Sequence, residues 1–440
     1  MTALAILWDA SHIWGLLAWR AAEAFGLPFR LVKAREIAHG ALSDKTSALL
    51  VPGGTARHKF AALGPEGRAS VLSWVERGGR YIGFCGGAGL GLSDPEHRHG
   101  LGLCPWRRAP ITEWVQHFVS GHVRVALTPG HALTEAAETP DPALAVWWPG
   151  RFAEPPAAER AGDGVDILAR YADTSPELCR TDSRFADFCV ADLPLASLSD
   201  TVLRDWAHIY GVSLAPAFLD GQPCVLHGRR GRGSYTLSYS HLETPGSPEG
   251  NRWLARILAA LCGLAPGCDV VPAWNPGAEP ILWPGLAEEG SGRGAAGPIR
   301  SLADARRETE DLLRLGEAHG LLFPRTPWLT GWRAGVPGAG LNNLHTALCV
   351  VTSVAPTPAA EAFWRERGAS FVSLFGIFAR GVRDNLLAFR LAAAMPEAVP
   401  RRLVAEQRNA LFGTAMESGG PYRELLGVLD ELLFLSLGGR

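Results

Sequence analysis

The sequence predicts an α/β fold, a mostly parallel sheet flanked by helices, with an additional α-helical C-terminal region. Three observations carry this. Strand and helix signals alternate over the first ninety residues, the pattern of βαβ units with right-handed crossovers. A Gly-rich stretch from Gly285 to Gly297 then reads as a linker. Beyond it, residues 300–440 show helical spacing broken by Pro and Gly. Of the 440 residues, 47% are hydrophobic and 20% charged, ample for a packed core and against disorder.

The elements follow in order. Ala3–Trp8 reads as a strand, and Ser11 caps a helix to about Phe25. Phe29–Lys33 and Ala48–Val51 are strands, the latter ending in Pro52-Gly53-Gly54. Glu66–Arg77 has helical spacing through Val71, Trp74 and Val75, stopped by Gly78-Gly79, and Arg80–Phe84 is the next strand. Val123–Leu127, Ala143–Trp148 and Val165–Tyr171 read as strands, with a partly helical insertion near 174–212. Cys224–Leu226 and Ser234–Ser240 are further strands, and a helix runs from about Glu249 to Leu261. Later helices are expected at 301–318, 358–367, 375–394, 400–412 and 421–436. The expected organisation is a domain over 1–270, a linker over 271–299 and a helical domain over 300–440.

Composition excludes several function classes. Forty-two basic residues against 44 acidic leave a net charge of −2, so nothing points to nucleic acid or an anionic membrane. The three lysines, Lys33, Lys45 and Lys59, rule out lysine-dependent chemistry later in the chain. Eight cysteines without a CxxC pair favour reduced thiols in a cytoplasm. The apolar start lacks a basic lead and meets Asp9 and His12, so it reads as a strand rather than a signal peptide. Arg380, Arg383 and Asp384 interrupt the apolar run at 370–393, as in a buried helix rather than a membrane span.

Chemistry concentrates in two segments. Gly83-Phe-Cys85-Gly86-Gly87 follows an apolar strand and has the form of a nucleophile elbow, with small residues around a crowded turn. Such a turn lifts the sulfur from the sheet toward a helix N-terminus, which favours thiolate. The alternative is a small buried core cysteine. The strand ending at Ser240 leads into His241-Leu-Glu243. A histidine there can reach a nucleophile on a neighbouring strand, and the glutamate can fix its tautomer; the alternative is a surface loop. Backbone amides of Gly53, Gly54 and Gly86 could form an oxyanion hole.

Together these segments resemble class I glutamine amidotransferase-like domains with flavodoxin-like layering, and more closely the biotin-protein ligase N-terminal domain family within that superfamily. The resemblance rests on Leu50–Gly54, Gly79–Ala88, Val165–Tyr171 and Gly231 to Glu243, and covers residues 1–262. It implies Cys85 as nucleophile, His241 as base and Glu243 as its orienter. Gly89 stands where ordinary amidotransferases carry Gln, and His241-Leu-Glu243 replaces His-Pro-Glu. The expected function is amidase or acyl-transfer chemistry through a cysteine thioester on a small-molecule amide or acyl substrate, with no cofactor and no metal. The alternative is a non-catalytic module that keeps the fold and binds a ligand or partner. A redox protein with a reactive elbow cysteine would leave His241 and Glu243 unexplained.

Other segments read blandly. His227 to Gly233 is a hairpin turn rather than a biotinyl-adenylate loop, because no lysine follows. Gly87-Ala-Gly-Leu-Gly91 lacks dinucleotide-loop spacing. Glu96-His97-Arg98-His99 is read as a solvated loop rather than a metal site. Trp147, Trp148, Trp328, Trp332 and Trp364 are expected as core or interface anchors, with the C-terminal helices capping the sheet's carboxyl edge or meeting a protein partner.

Overall fold

A computed structural model describes the chain except residues 1–2, 94–98, 112–117, 136, 157–163, 212, 284–300, 327, 415–416 and 439–440. The expected linker at Gly285–Gly297, and Glu96 and His97, therefore lie outside the described residues. Two compact units are present, Met1–Ala273 and Trp274–Arg440.

The first unit opens with β1 (Ala3–Leu7), α1 (Ile13–Ala24), β2 (Phe29–Val32), α2 (Ala34–Ala38), β3 (Thr46–Val51), α3 (Ala56–Glu76), β4 (Arg80–Phe84) and α4 (Gly86–Gly91). The strands β5 (Arg107–Arg108) and β8 (Phe152–Ala153) pair as a small ribbon. The rest of the sheet comes from β6 (Val119–Leu127), β7 (Ala143–Trp147), β9 (Val165–Tyr171), β10 (Cys189–Val190), β11 (Leu193–Pro194), β12 (Pro223–Arg230) and β13 (Gly233–Ser238). Among the described residues these strands form one sheet in the order β11-β10-β6-β9-β12-β13-β4-β3-β1-β2, with β7 on β6.

The alternation at the start of the chain becomes the parallel half: β2, β1, β3, β4 and β13 all run one way. From β13 outward, through β12, β9, β6 and β10, the pairing is antiparallel. Leu49, Val51, Tyr81, Leu237, Val71 and Val75 form part of one buried cluster between the parallel half and its helices. The hairpin of β12 and β13 turns at Gly231, whose φ of 58° suits glycine, as expected for the Gly/Arg segment.

Two local expectations need correction. Ser11 does not cap α1. The N-cap is His12, at φ 50°, without a side-chain cap, while Ser11 Oγ donates to Leu7 O at 2.9 Å and accepts from Lys59 Nζ at 2.6 Å. Lys59 is fully buried, and a buried ammonium needs such an acceptor more than a helix end does. The helix expected from Glu66 continues back to Ala56 across a kink at Gly64, φ 60°, because Pro65 disfavours helical backbone at the residue before it. The insertion at 174–212 is partly helical, as expected, and it also supplies the β10–β11 hairpin.

The second unit contains helices Leu302–Ala318, Gly338–Ser353, Pro358–Ala394, Arg401–Phe412 and Gly420–Leu437, with a hairpin of Leu322–Thr326 and Leu329–Trp332. The helices expected at 358–367 and 375–394 are one. Gly368 is no stop: a Cβ there would sit 2.9 Å from the Trp364 indole, so the glycine makes room for that ring. The helix Gly338–Ser353 has no counterpart among the expected elements, since Pro337-Gly338-Ala339-Gly340 reads as a loop. Gly338 packs on Trp332, and a Cβ on Gly340 would meet Phe412 at 2.9 Å. Trp328 is buried, and Trp364 meets Trp283 and Phe371 edge to face. Among the described residues no helix is long and apolar enough to cross a membrane.

Candidate functional site

Because β1, β3, β4 and β13 are parallel, the segments that leave them emerge at one edge of the sheet. That edge is where open α/β sheets bind ligands. Pro52–Gly54 follows β3, Cys85 follows β4, and Tyr239–Glu243 follows β13. Cys85 N donates to Ser238 O at 2.7 Å, which ties the elbow to the end of β13.

Cys85 has φ 49° and ψ −106°, a left-handed backbone that costs a non-glycine residue about 1–3 kcal/mol. Glycines allow it. A Cβ on Gly83 would strike the Gly87 carbonyl, one on Gly86 the Gly54 carbonyl, and one on Gly87 the Val51 carbonyl. The Gly87 carbonyl is fixed by Tyr81 Oη, which donates to it at 2.6 Å. Cys85 itself is half-buried, while six of the other seven cysteines are buried.

His241 is buried and held on three sides. Its N–H donates to Ala145 O of β7 at 2.8 Å. Its Nδ1 lies 2.9 Å from Oε1 of Glu243, which is itself fully buried. Its ring stacks on Trp14, centroids 4.5 Å apart, a contact that favours a cationic ring. Gly53 permits this stack, since a Cβ there would lie 2.8 Å from Trp14 and 3.1 Å from the imidazole. The remaining nitrogen, Nε2, interacts with the Cys85 thiol, yet closes no well-aligned hydrogen bond with any described residue. Such looseness is common before a substrate is in place.

The charges are coupled. Burial alone would push the Cys85 thiol up, but the His241 imidazole beside it, Arg108 at longer range and the Gly86 N–H together bring it below its ordinary value. Burial alone would push the imidazolium down, but the Glu243 carboxylate and the Cys85 sulfur raise it to about 10. Both shifts favour thiolate and imidazolium.

The structure thus brings Cys85, His241 and Glu243 together, with the Gly53–Gly54 loop alongside. Gly54 has φ 106°, and a Cβ there would lie 2.5 Å from Ala10 O. Gly89, at the departure from the amidotransferase pattern, has only Ala56 and the Tyr239 hydroxyl near the place a side chain would begin.

Sequence reasoning missed two residues. Trp14, in the first turn of α1, supplies the stacking face for His241; a tryptophan at the start of the first helix was its only signal. Tyr239 is buried between Gly150 and Phe152, and its Oη has no partner among the described residues. It sits two residues before His241.

No curated protein matches the chain in sequence. A protein provisionally assigned as part of a GMP synthase, from Thermoplasma acidophilum, shares 10% identity, covering 60% of this chain and 95% of its own, at a TM-score of 0.36. PurLQS from Thermotoga maritima shares 14%, covering 59% and 100%, also at 0.36. A β-galactosidase from Bacillus circulans sp. alkalophilus shares 11%, covering 60% and 32%, at 0.34. These are distant likenesses and say nothing of activity. Residues 27–102 match the family described as "Biotin-protein ligase, N terminal", a stretch that contains Gly53, Gly54, Cys85 and Gly86 but neither His241 nor Glu243. Over that stretch the chain is similar to the biotin-protein ligase N-terminal family.

Proposed function

We propose that the first unit performs amidase or acyl-transfer chemistry through a thioester on Cys85. The observation that carries this reading is the buried 2.9 Å contact of Glu243 with His241 Nδ1, which leaves Nε2 for the thiol on its strained turn. In the proposed reaction the thiolate attacks a carboxamide carbon, and the carbonyl electron pair moves to oxygen. The Gly54 and Gly86 N–H groups, with Gly53 shaping the loop, receive that oxyanion. Collapse breaks the C–N bond while His241 Nε2 gives its proton to the leaving amine. Water, or a nucleophile from a second substrate, then loses a proton to His241 and opens the thioester. That step yields the acid or transferred acyl product and regenerates Cys85.

A second reading is a non-catalytic module that uses the same crevice to hold a ligand. Gly89 favours it, because no side chain stands where amidotransferases place glutamine. The two separate in one experiment. The full chain is incubated with an activated acyl ester such as p-nitrophenyl acetate and analysed by intact and peptide mass. The enzymatic reading expects a hydroxylamine-sensitive acyl group on Cys85, absent from Cys85→Ser and much reduced in His241→Gln. Acylation spread over several cysteines, or none on Cys85, supports the binding module.

A further inference from the structure

The second unit holds a separate cluster of ligating side chains. Glu310, on the helix Leu302–Ala318, faces His345 and Cys349, one turn apart on the helix Gly338–Ser353. One ligand atom from each lies within 4.8 Å of the other two. His345 Nε2 is 3.3 Å from Cys349 Sγ and 4.0 Å from Glu310 Oε1.

We propose that Glu310, His345 and Cys349 bind a divalent transition-metal ion of the zinc class, with the fourth coordination position open to solvent. The donor set suits it: thiolate, imidazole and carboxylate are the ligands zinc takes, tetrahedrally. Metal–sulfur bonds of about 2.3 Å and metal–nitrogen or –oxygen bonds of about 2.0–2.1 Å put sulfur and nitrogen about 3.5 Å apart, and nitrogen and oxygen about 3.4 Å apart. The present separations are within an ångström of both. Cys349 is buried, whereas Glu310 and His345 are partly exposed, which gives an ion an entry path.

The surroundings supply the outer support such sites need. Arg306 Nε donates to Glu310 Oε1 at 3.2 Å. Its guanidinium is also anchored by Gly277 O at 2.6 Å, Glu279 O at 3.2 Å and Thr352 Oγ1 at 3.2 Å. It can therefore hold the carboxylate from outside without following it. Arg314 lies 3.9 Å from Glu310 Oε2 on the exposed side. Two anionic ligands and a neutral imidazole balance a dication, so the metal-bound cluster beside Arg306 is neutral. Binding forms a metal–sulfur bond and breaks the S–H bond, releasing that proton to water.

The test is a Co²⁺ titration of the chelator-treated, reduced full chain, read by thiolate-to-cobalt charge transfer in the near ultraviolet and by ligand-field bands in the visible. One equivalent should produce both, with the visible bands strong enough for tetrahedral geometry. Cys85→Ser should titrate as the parent, and Cys349→Ser should lose the charge-transfer band. His345→Ala and Glu310→Gln, at partly exposed positions that tolerate change, should each weaken binding at least about tenfold. Thermal melts without metal confirm that each variant is folded, and the latter two decide the matter if Cys349→Ser is not. Absence of the bands, their survival in Cys349→Ser, or parent-like affinity in both partly exposed variants overturns the site.

Discussion

The chain contains two sets of the same three residue types, cysteine, histidine and glutamate, and their electrostatics run in opposite directions. At the sheet edge, Glu243 is buried against His241 Nδ1, so the imidazole is pushed up to about 10 and the Cys85 thiol is pulled down. In the helical unit, Glu310 is bonded instead to the buried Arg306. Burial and that guanidinium push His345 down to about 4, and burial pushes the Cys349 thiol up to about 12. The backbones differ as well: a strained turn walled by glycines on one side, an ordinary helix with ligands at i and i+4 on the other. Residue type thus does not make a nucleophile. At the sheet edge the carboxylate's contact outweighs burial at the histidine, which in turn lowers the thiol, whereas in the helical unit burial dominates both groups.

The largest effect expected from this contrast is on alkylation. At pH 7, iodoacetamide should modify Cys85 about a hundredfold or more faster than Cys349, because the thiolate fractions differ by more than that. Peptide mapping over time measures the ratio. Next is Glu243→Gln, which should bring the first set toward the second. Its Cys85 alkylation at pH 7 should fall about tenfold or more. Stability should drop by about 3 kcal/mol, as when one partner leaves a buried ion pair, readable as a denaturant midpoint shift. Gly86→Ala tests the backbone instead. Its Cβ would strike the Gly54 carbonyl, and overpacking of that kind costs about 1–3 kcal/mol. Cys85 reactivity should fall with it even where the variant still folds.

A smaller effect appears in the pH dependence of stability. His241 is raised in the fold from about 6.5 to about 10, so its contribution is complete below pH 6.5 and lost as pH rises through 10. Cys85 is lowered, so its contribution is present above its ordinary value and lost as pH falls through the folded one. Between these limits the two slopes oppose each other. Cys85→Ser removes one of them, and its melting temperature should decline more steeply from pH 7 to 9 than the parent's.

Much of the first set was legible in the sequence. Glycine spacing around Cys85 has few other uses, and His241-x-Glu243 at a strand end places both side chains at the same edge. The Trp14 stack was not legible, because it joins α1 to a residue more than two hundred positions later. The antiparallel half was only partly legible. Ser120 to His122 are paired with β7, and Val119 and Ser120 with β10, but the polar Ser120 and His122 hide the strand. In the helical unit, glycines that accept aromatic rings at 338, 340 and 368 look like breakers when packing is unknown. The second Cys–His–Glu set went unread because Glu310 and His345 lie 35 residues apart, across a hairpin and a helix the sequence did not announce.

The most direct test of the central claim is the pH profile of Cys85 alkylation, followed residue by residue in the parent and in His241→Gln. If the imidazole sets the thiol's charge, the parent profile has its midpoint clearly below the ordinary thiol value of about 8.5, and the His241→Gln profile moves up to or beyond it. If Cys85 titrates at or above that value in the parent, or if removing His241 leaves the midpoint where it was, the paired thiolate and imidazolium do not exist and Cys85 is a packing residue.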